Sequence, residues 1–292
     1  MEGTRGDAPR TGFGRIGSGM LQKRQPRSGW AIGFGLLELI FHSAVRSVRK
    51  SHRNALVGLF MNMAQTLLLV LVFYVMFGVF NLRGAAIRGD FLLYIMSGIF
   101  LFMCHIKAIG AVVHAEGSGS PIMKHAPMNT LISVIAAAIG ALYIQILSLV
   151  VVLFIYHVAI TPITIHNPAG AMGLVLLAWF SGVGIGMVFL AIKPWWPGFT
   201  ELGSQIYMRA NMIASGKMFV ANSLPGFMLP YFDWNPLFHA IDQARGHVFI
   251  DYVPMQTSAS YALYVALVGL VIGLMGEFYT RQRASISWQA KR

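Results

Sequence analysis

Six apolar stretches, each near the length a bilayer demands, constrain this chain more than any other feature of its sequence. A helix that crosses the hydrocarbon core needs about 20 mainly apolar residues. Such stretches fall at Ala55–Phe80, Phe91–Val113, Leu131–Ile160, Ala169–Ile192, Met212–Tyr231 and Ser258–Phe278. In lipid every backbone polar group must be satisfied within the segment, which leaves the helix as the form for stretches of this kind. The expected fold class is therefore an all-α integral membrane protein with six transmembrane helices in a domain spanning residues 55–281. The balance of 56% hydrophobic against 11% charged residues lies outside the range of soluble domains and agrees.

The flanks read differently. Residues 1–28 are rich in Gly, Arg, Ser and Pro with no apolar period, as in a flexible cytosolic tail. Within residues 29–54, Leu37, Ile40, Phe41, Ala44 and Val48 recur at helical spacing, with Arg46, Arg49, Lys50 and Arg53 on the other face. That pattern predicts a basic amphipathic helix lying in the membrane interface. Residues 282–292 read as a second cytosolic tail. The net charge of +12 sits in short segments beside the apolar runs. It therefore points to topology signals and membrane lipid headgroups as partners, not to nucleic acid. With the N-terminus inside, 18 of the 22 Lys and Arg lie on the inner side and three outside. Both termini are thus expected in the cytoplasm.

The fifth stretch is the unusual one. It carries Lys217 within an apolar run and is followed by Pro225, Pro230 and Pro236. Proline removes a backbone donor and clashes with the preceding turn, so an intact helix cannot continue. Broken helix at membrane depth is tolerated only inside protein or beside a water-filled path. Asn235 fits an N-cap and Pro236 the first helical position of a new short helix. In that helix Leu237, Phe238, Ile241 and Ala244 form an apolar stripe opposite His239, Asp242, Gln243 and Arg245. A broken span, a turn and an amphipathic helix near the surface predict a gate over a conduit, not a plain anchor. A lysine inside a span costs about 2.5–3.5 kcal/mol on insertion scales. Lys217 is thus read either as a cationic contact in a polar conduit, or as a snorkelling side chain that binds carbonyls freed by the break.

Several chemistries lack their motifs. Gly12, Gly14 and Gly17 match a dinucleotide pattern but follow no strand. Gly216–Lys217 resembles the end of a phosphate-binding loop, yet Met218 stands where Ser or Thr is needed and Asn211 where a glycine is. The nine histidines show no shared metal-ligand spacing, and His105 and His114 are expected to meet headgroups or water at a span end. The single cysteine, Cys104, reads as a buried small hydrophobe. The pairs Gly182/Gly186 and Gly269/Gly273 suit close helix contacts, within the subunit or between copies. Trp195, Trp196 and Trp234 fit interfacial anchors.

Ser215–Pro225, SGKMFVANSLP, and Trp234–Arg245, WNPLFHAIDQAR, resemble the membrane subunit of type-2 ABC exporters, in the branch that exports capsular polysaccharide or O-antigen. Asn235, Pro236, Leu237, His239, Asp242 and Arg245 occupy the places of that family's motif. The resemblance implies a bacterial inner-membrane permease that works as a dimer with a second copy of itself. A separate ABC ATPase subunit would hydrolyse ATP, so this chain would be no enzyme and carry no cofactor or metal. It also implies a lipid-linked polysaccharide as substrate, with periplasmic export proteins as further partners. Its outer gate would be short re-entrant helices between the fifth and sixth spans, built from Pro225, Pro230, Asn235, Pro236, His239, Asp242 and Arg245. The substrate path would be lined by Lys217, Phe219, Phe60, Phe77, Tyr94 and Phe102, with Phe227 a further aromatic. Glu38, Arg46, Arg49, Glu116, Lys124 and His125 would couple to the ATPase. Two alternatives stand beside this reading: a type-2 exporter of a drug, haem or lipid, and a membrane-embedded transferase.

Overall fold

In the computed structural model the described residues are 35, 38–45, 55–79, 89–115 and 130–289. The chain divides into two units, Met1–Glu38 and Leu39–Arg292. The tail at residues 1–28 lies outside the described residues, as does most of the expected interface helix. Residues 38–45 of that helix are helical, with Phe41 exposed and Ala44 buried.

All regular structure among the described residues of the second unit is helical. The helices are α1 (Ala55–Val79), α2 (Phe91–Val113), α3 (Thr130–Ala159), α4 (Pro168–Ile192), α5 (Pro197–Ala214), α6 (Pro236–Val248) and α7 (Ala259–Gln289). Two single 3-10 turns, Ala221–Ser223 and Leu229–Tyr231, separate α5 from α6. Five of these helices, α1 to α4 and α7, are long and apolar enough to cross a membrane, which makes this a multi-pass membrane protein.

α2 is the hub and packs against α1, α3, α4, α5 and α6. It is buried along most of its length. By contrast α1 and α7 turn rows of large apolar side chains outward, including Leu68, Leu71, Val268 and Val271, as faces toward acyl chains do. The glycine pairs serve contacts within the subunit. A Cβ on Gly182 would stand 2.5 Å from the His105 carbonyl oxygen on α2, and one on Gly273 would stand 2.5 Å from Met187 Cβ on α4. The α4 backbone can therefore lie directly on α2 and α7, where van der Waals contact drives helix association in lipid. Asn62 on α1 donates to Ser148 Oγ at 3.0 Å and accepts from Gln145 on α3 at 3.1 Å, a polar tie between two otherwise apolar helices.

The hydrogen bonds also order the two ends of the bundle. Tyr156 near the end of α3 donates to Asp90, the cap of α2, and Asn167, the cap of α4, receives the bond of the Gly170 N–H and meets His247 at the end of α6. At the opposite end Lys193, just after α4, donates to the Val113 carbonyl at 2.7 Å. The chain leaves α4 at that second end and enters α7 at the first. Residues 193–258 must therefore cross the bundle.

The crossing is not made where the sequence places it. Met212–Tyr231 is not a helix: α5 supplies the helical part upstream and stops at Ala214. The prolines are not the breaker either, because the turn comes at Gly216, with φ +71°, well before Pro225. Glycine takes this left-handed conformation without strain, and it lies against Phe238, where a Cβ would approach Cδ2 to 2.5 Å. Apolarity alone misplaces the segment, since α5 carries Glu201, Gln205, Arg209 and Asn211. Residues 282–289 continue α7 as helix, because QRASISWQ contains neither Gly nor Pro to stop it.

Candidate functional site: the broken crossing between α5 and α6

The site is built where α5 ends, the chain turns, and α6 returns against α2. Asn235 caps α6 by accepting from the Leu237 N–H at 3.0 Å, and Pro236 opens the helix as expected. The same Asn235 amide donates to Asn211 Oδ1 at 2.8 Å and to the Ala214 carbonyl at 2.9 Å. The end of α5 and the start of α6 are thereby tied across the turn.

α6 is not the surface amphipathic helix that its pattern suggests. His239, Asp242 and Arg245, on the polar side, are buried together with Leu237, Phe238, Ile241 and Ala244. Burial is tolerated because each polar group has partners. Arg245, 0% exposed, donates Nη1 to the carbonyls of Gly216 at 2.9 Å and Phe219 at 2.5 Å, and Nη2 to that of Lys217 at 2.7 Å. Its guanidinium lies 4.3 Å from the centre of the Tyr94 ring on α2. These carbonyls belong to the turn beyond α5, outside any helix, and one planar fork collects all three.

Asp242 holds the other half of the loop. Its Oδ1 accepts from the Ala221 N–H at 3.1 Å and from Tyr252 at 2.6 Å, and Oδ2 accepts from Thr257 at 2.8 Å. Tyr252 lies in the connection before α7. Burial first, then the hydrogen bond and charge of Asp242, push its phenol pKa well above the usual tyrosine value. The His239 ring accepts from the Ser258 N–H at Nδ1, 3.0 Å, so Nε2 carries the proton and donates to the Asp233 carbonyl at 2.7 Å.

Lys217 is 2% exposed. Its backbone lies on Gly98 of α2, where a Cβ would meet the Lys217 carbonyl oxygen at 2.8 Å. Its ammonium neither snorkels nor binds the free carbonyls, which Arg245 has taken. Nζ sits 3.7 Å from the Phe102 ring centre and 5.1 Å from that of Phe73 on α1, and has no hydrogen-bond partner among the described residues.

Of the expected path residues, the structure thus brings Lys217, Phe102 and Tyr94 into one cluster. Phe219 sits at its edge, packed on Phe232 and Phe238. Phe77 packs edge-on against Phe91. Phe60 is exposed on α1, and Phe227 is exposed in the loop. Pro225 and Pro230 are also exposed there. Glu38 belongs to the helical residues 38–45, whereas Arg46, Arg49, Glu116, Lys124 and His125 lie outside the described residues.

Sequence reasoning missed Gly98, Phe73, Asn211, Tyr252 and Thr257. Asn211 carried a signal, as an amide at the edge of the apolar Met212–Tyr231 run; Gly98 and Phe73 are ordinary residues of a span and carried none. His105 also departs from expectation. It is fully buried between α2 and α4, near the Ala178 carbonyl and Ser181 Oγ, both at 3.0 Å, instead of meeting headgroups. Cys104 is buried as expected.

One face of α5 completes the picture. Glu201, Gln205 and Arg209 recur every four residues and are all exposed. They form a polar stripe on a helix that runs along the bundle. Charged groups at that depth face a bundle interior, a partner or water, not acyl chains. No family model matches the chain, and no curated protein matches it.

Proposed function

We propose that this chain is the membrane subunit of an ATP-driven exporter that moves a lipid-linked polysaccharide across the bacterial inner membrane. α5 and the turn at Gly216 act as the sixth crossing, with both termini in the cytoplasm. The observation that carries the reading is the exposed Glu201–Gln205–Arg209 stripe on α5, the helix that ends in the broken turn. A hydrated path beside the bundle gives that stripe its water, and a second copy of the chain provides the facing wall. The resemblance of Ser215–Pro225 and Trp234–Arg245 to polysaccharide exporters supplies the substrate class.

The chain has no nucleotide-binding motif of its own, so a separate ATPase subunit drives it. ATP-driven closure of that partner would rock the helices, and α6, locked to the turn by Arg245 and to the connection before α7 by Asp242, would move with them as a gate. Co-expression with ABC ATPase subunits of the same cell, purification through a tag on this chain, and ATP-dependent export from proteoliposomes test the reading. The expected result is a stable complex that hydrolyses ATP and translocates a lipid-linked glycan. A chain that binds no ATPase, yet modifies a lipid or glycan without ATP, refutes it.

A further inference from the structure

We propose that Lys217 is the anion-binding point of the broken crossing, and that its ligand is a phosphate group borne on a membrane lipid. This inference rests on the exporter reading above. Buried ammonium groups are ordinarily paired with a carboxylate or hydrogen-bonded. Among the described residues that of Lys217 meets the faces of Phe102 and Phe73, and none of its three N–H donors finds an acceptor.

The charges around it are already committed. The Asp242 oxygens hold Ala221, Tyr252 and Thr257, and Arg245 is spent on three carbonyls. Among the described residues the cluster therefore holds two basic side chains against one carboxylate, and the carboxylate is already spent.

The depth of the site selects the ligand. Phe102 stands at the middle of α2, about 17 Å from either end at 1.5 Å per residue. A free anion is excluded by the hydrocarbon on the outward faces, whereas a phosphate attached to a lipid tail can be carried to that depth. The site is also built for a side-chain swing alone. Gly98 and Arg245 fix the Lys217 backbone, while no hydrogen bond among the described residues holds its Nζ. A ring face attracts an ammonium more weakly than a phosphate does, so an arriving phosphate displaces Phe102 as the partner.

The test uses the full chain in phosphatidylcholine nanodiscs, titrated calorimetrically with dodecyl phosphate, dodecanol or inorganic phosphate. Dodecyl phosphate is expected to bind. Lys217→Gln should weaken it about tenfold or more, and Lys217→Arg should stay within about threefold of the parent. Dodecanol should not distinguish the variants. An affinity unchanged in Lys217→Gln, an equal loss in Lys217→Arg, or inorganic phosphate binding as tightly as dodecyl phosphate overturns the proposal. If Lys217→Gln does not fold, Phe102→Leu decides. Freed of its ring, the ammonium should bind dodecyl phosphate several-fold more tightly, and an equal or weaker affinity overturns the proposal. Because no ATPase is present in this titration, its failure leaves the co-purification experiment standing, so the failure of this proposal and that of the exporter reading are told apart.

Discussion

Replacing Arg245 by alanine should destabilise the turn far more than the rest of the bundle. The side chain is fully buried and donates three hydrogen bonds, to Gly216, Lys217 and Phe219. Bonds to a charged group contribute about 1.5–3 kcal/mol each, which sets an upper bound of about 4.5–9 kcal/mol for three. The three share one guanidinium and do not add, so the expected loss is nearer the 3–5 kcal/mol typical of removing one partner of a buried charged network. At about 2 °C per kcal/mol for a chain of this size, the thermal midpoint should fall by about 6–10 °C. Tryptophan fluorescence of the protein in detergent measures it. Arg245→Lys can satisfy only part of the set and should fall between the two. Hydrogen exchange gives the local readout: amides of Phe219 and Ala221 should lose protection well before those on the α4–α7 seam, since local opening is the cheaper route. A midpoint within about 2 °C of the parent, or protection lost uniformly along the chain, would refute the claim that Arg245 holds the turn.

Three further expectations concern the same region. Gly98→Ala should lower stability by about 1–3 kcal/mol, because its Cβ would press on the Lys217 carbonyl at 2.8 Å and on Arg245 Nη2 at 3.0 Å; a thermal midpoint equal to the parent's would show that the turn does not rest there. With the single cysteine removed as Cys104→Ser, Gln205→Cys should react with a membrane-impermeant thiol reagent roughly tenfold faster than Val150→Cys on the exposed apolar face of α3, since thiolate chemistry needs water. Equal rates would place the α5 stripe in lipid. Tyr252 should remain protonated where ordinary tyrosines ionise. Its folded pKa is raised, so its contribution to stability is complete below about pH 10 and is lost as pH rises above that value. Ultraviolet titration of the parent against Tyr252→Phe checks this, and a difference spectrum with an ordinary tyrosine midpoint contradicts it.

Much of the helical framework is legible in the residues. Phe91–Val113 is predicted and found with the same bounds, and three more spans agree within a few residues, because about 20 consecutive apolar residues leave the backbone no other form in lipid. Asn235 and Pro236 announce the start of α6 for a reason equally local: one side chain reaches one backbone donor two residues on. The fifth span shows where such reasoning stops. Its residues were ranked by apolarity, but α5 holds Glu201, Gln205 and Arg209 on one exposed stripe, and a sliding view of hydrophobicity passes over it toward the more apolar Met212–Tyr231.

By itself, then, the sequence determined that this is a helical, multi-pass membrane protein and that a capped helix starts at Asn235 and Pro236. Those properties depend on contiguous residues and on the solvent the bilayer presents. Only the tertiary structure decided that Gly216, not a proline, turns the chain, that the turn's carbonyls go to Arg245 and not to Lys217, and that α6 buries its polar His239, Asp242 and Arg245. Each of these depends on residues far apart in the chain meeting in space. The partner that satisfies a buried polar group is set by packing against α2, and no local pattern encodes that choice.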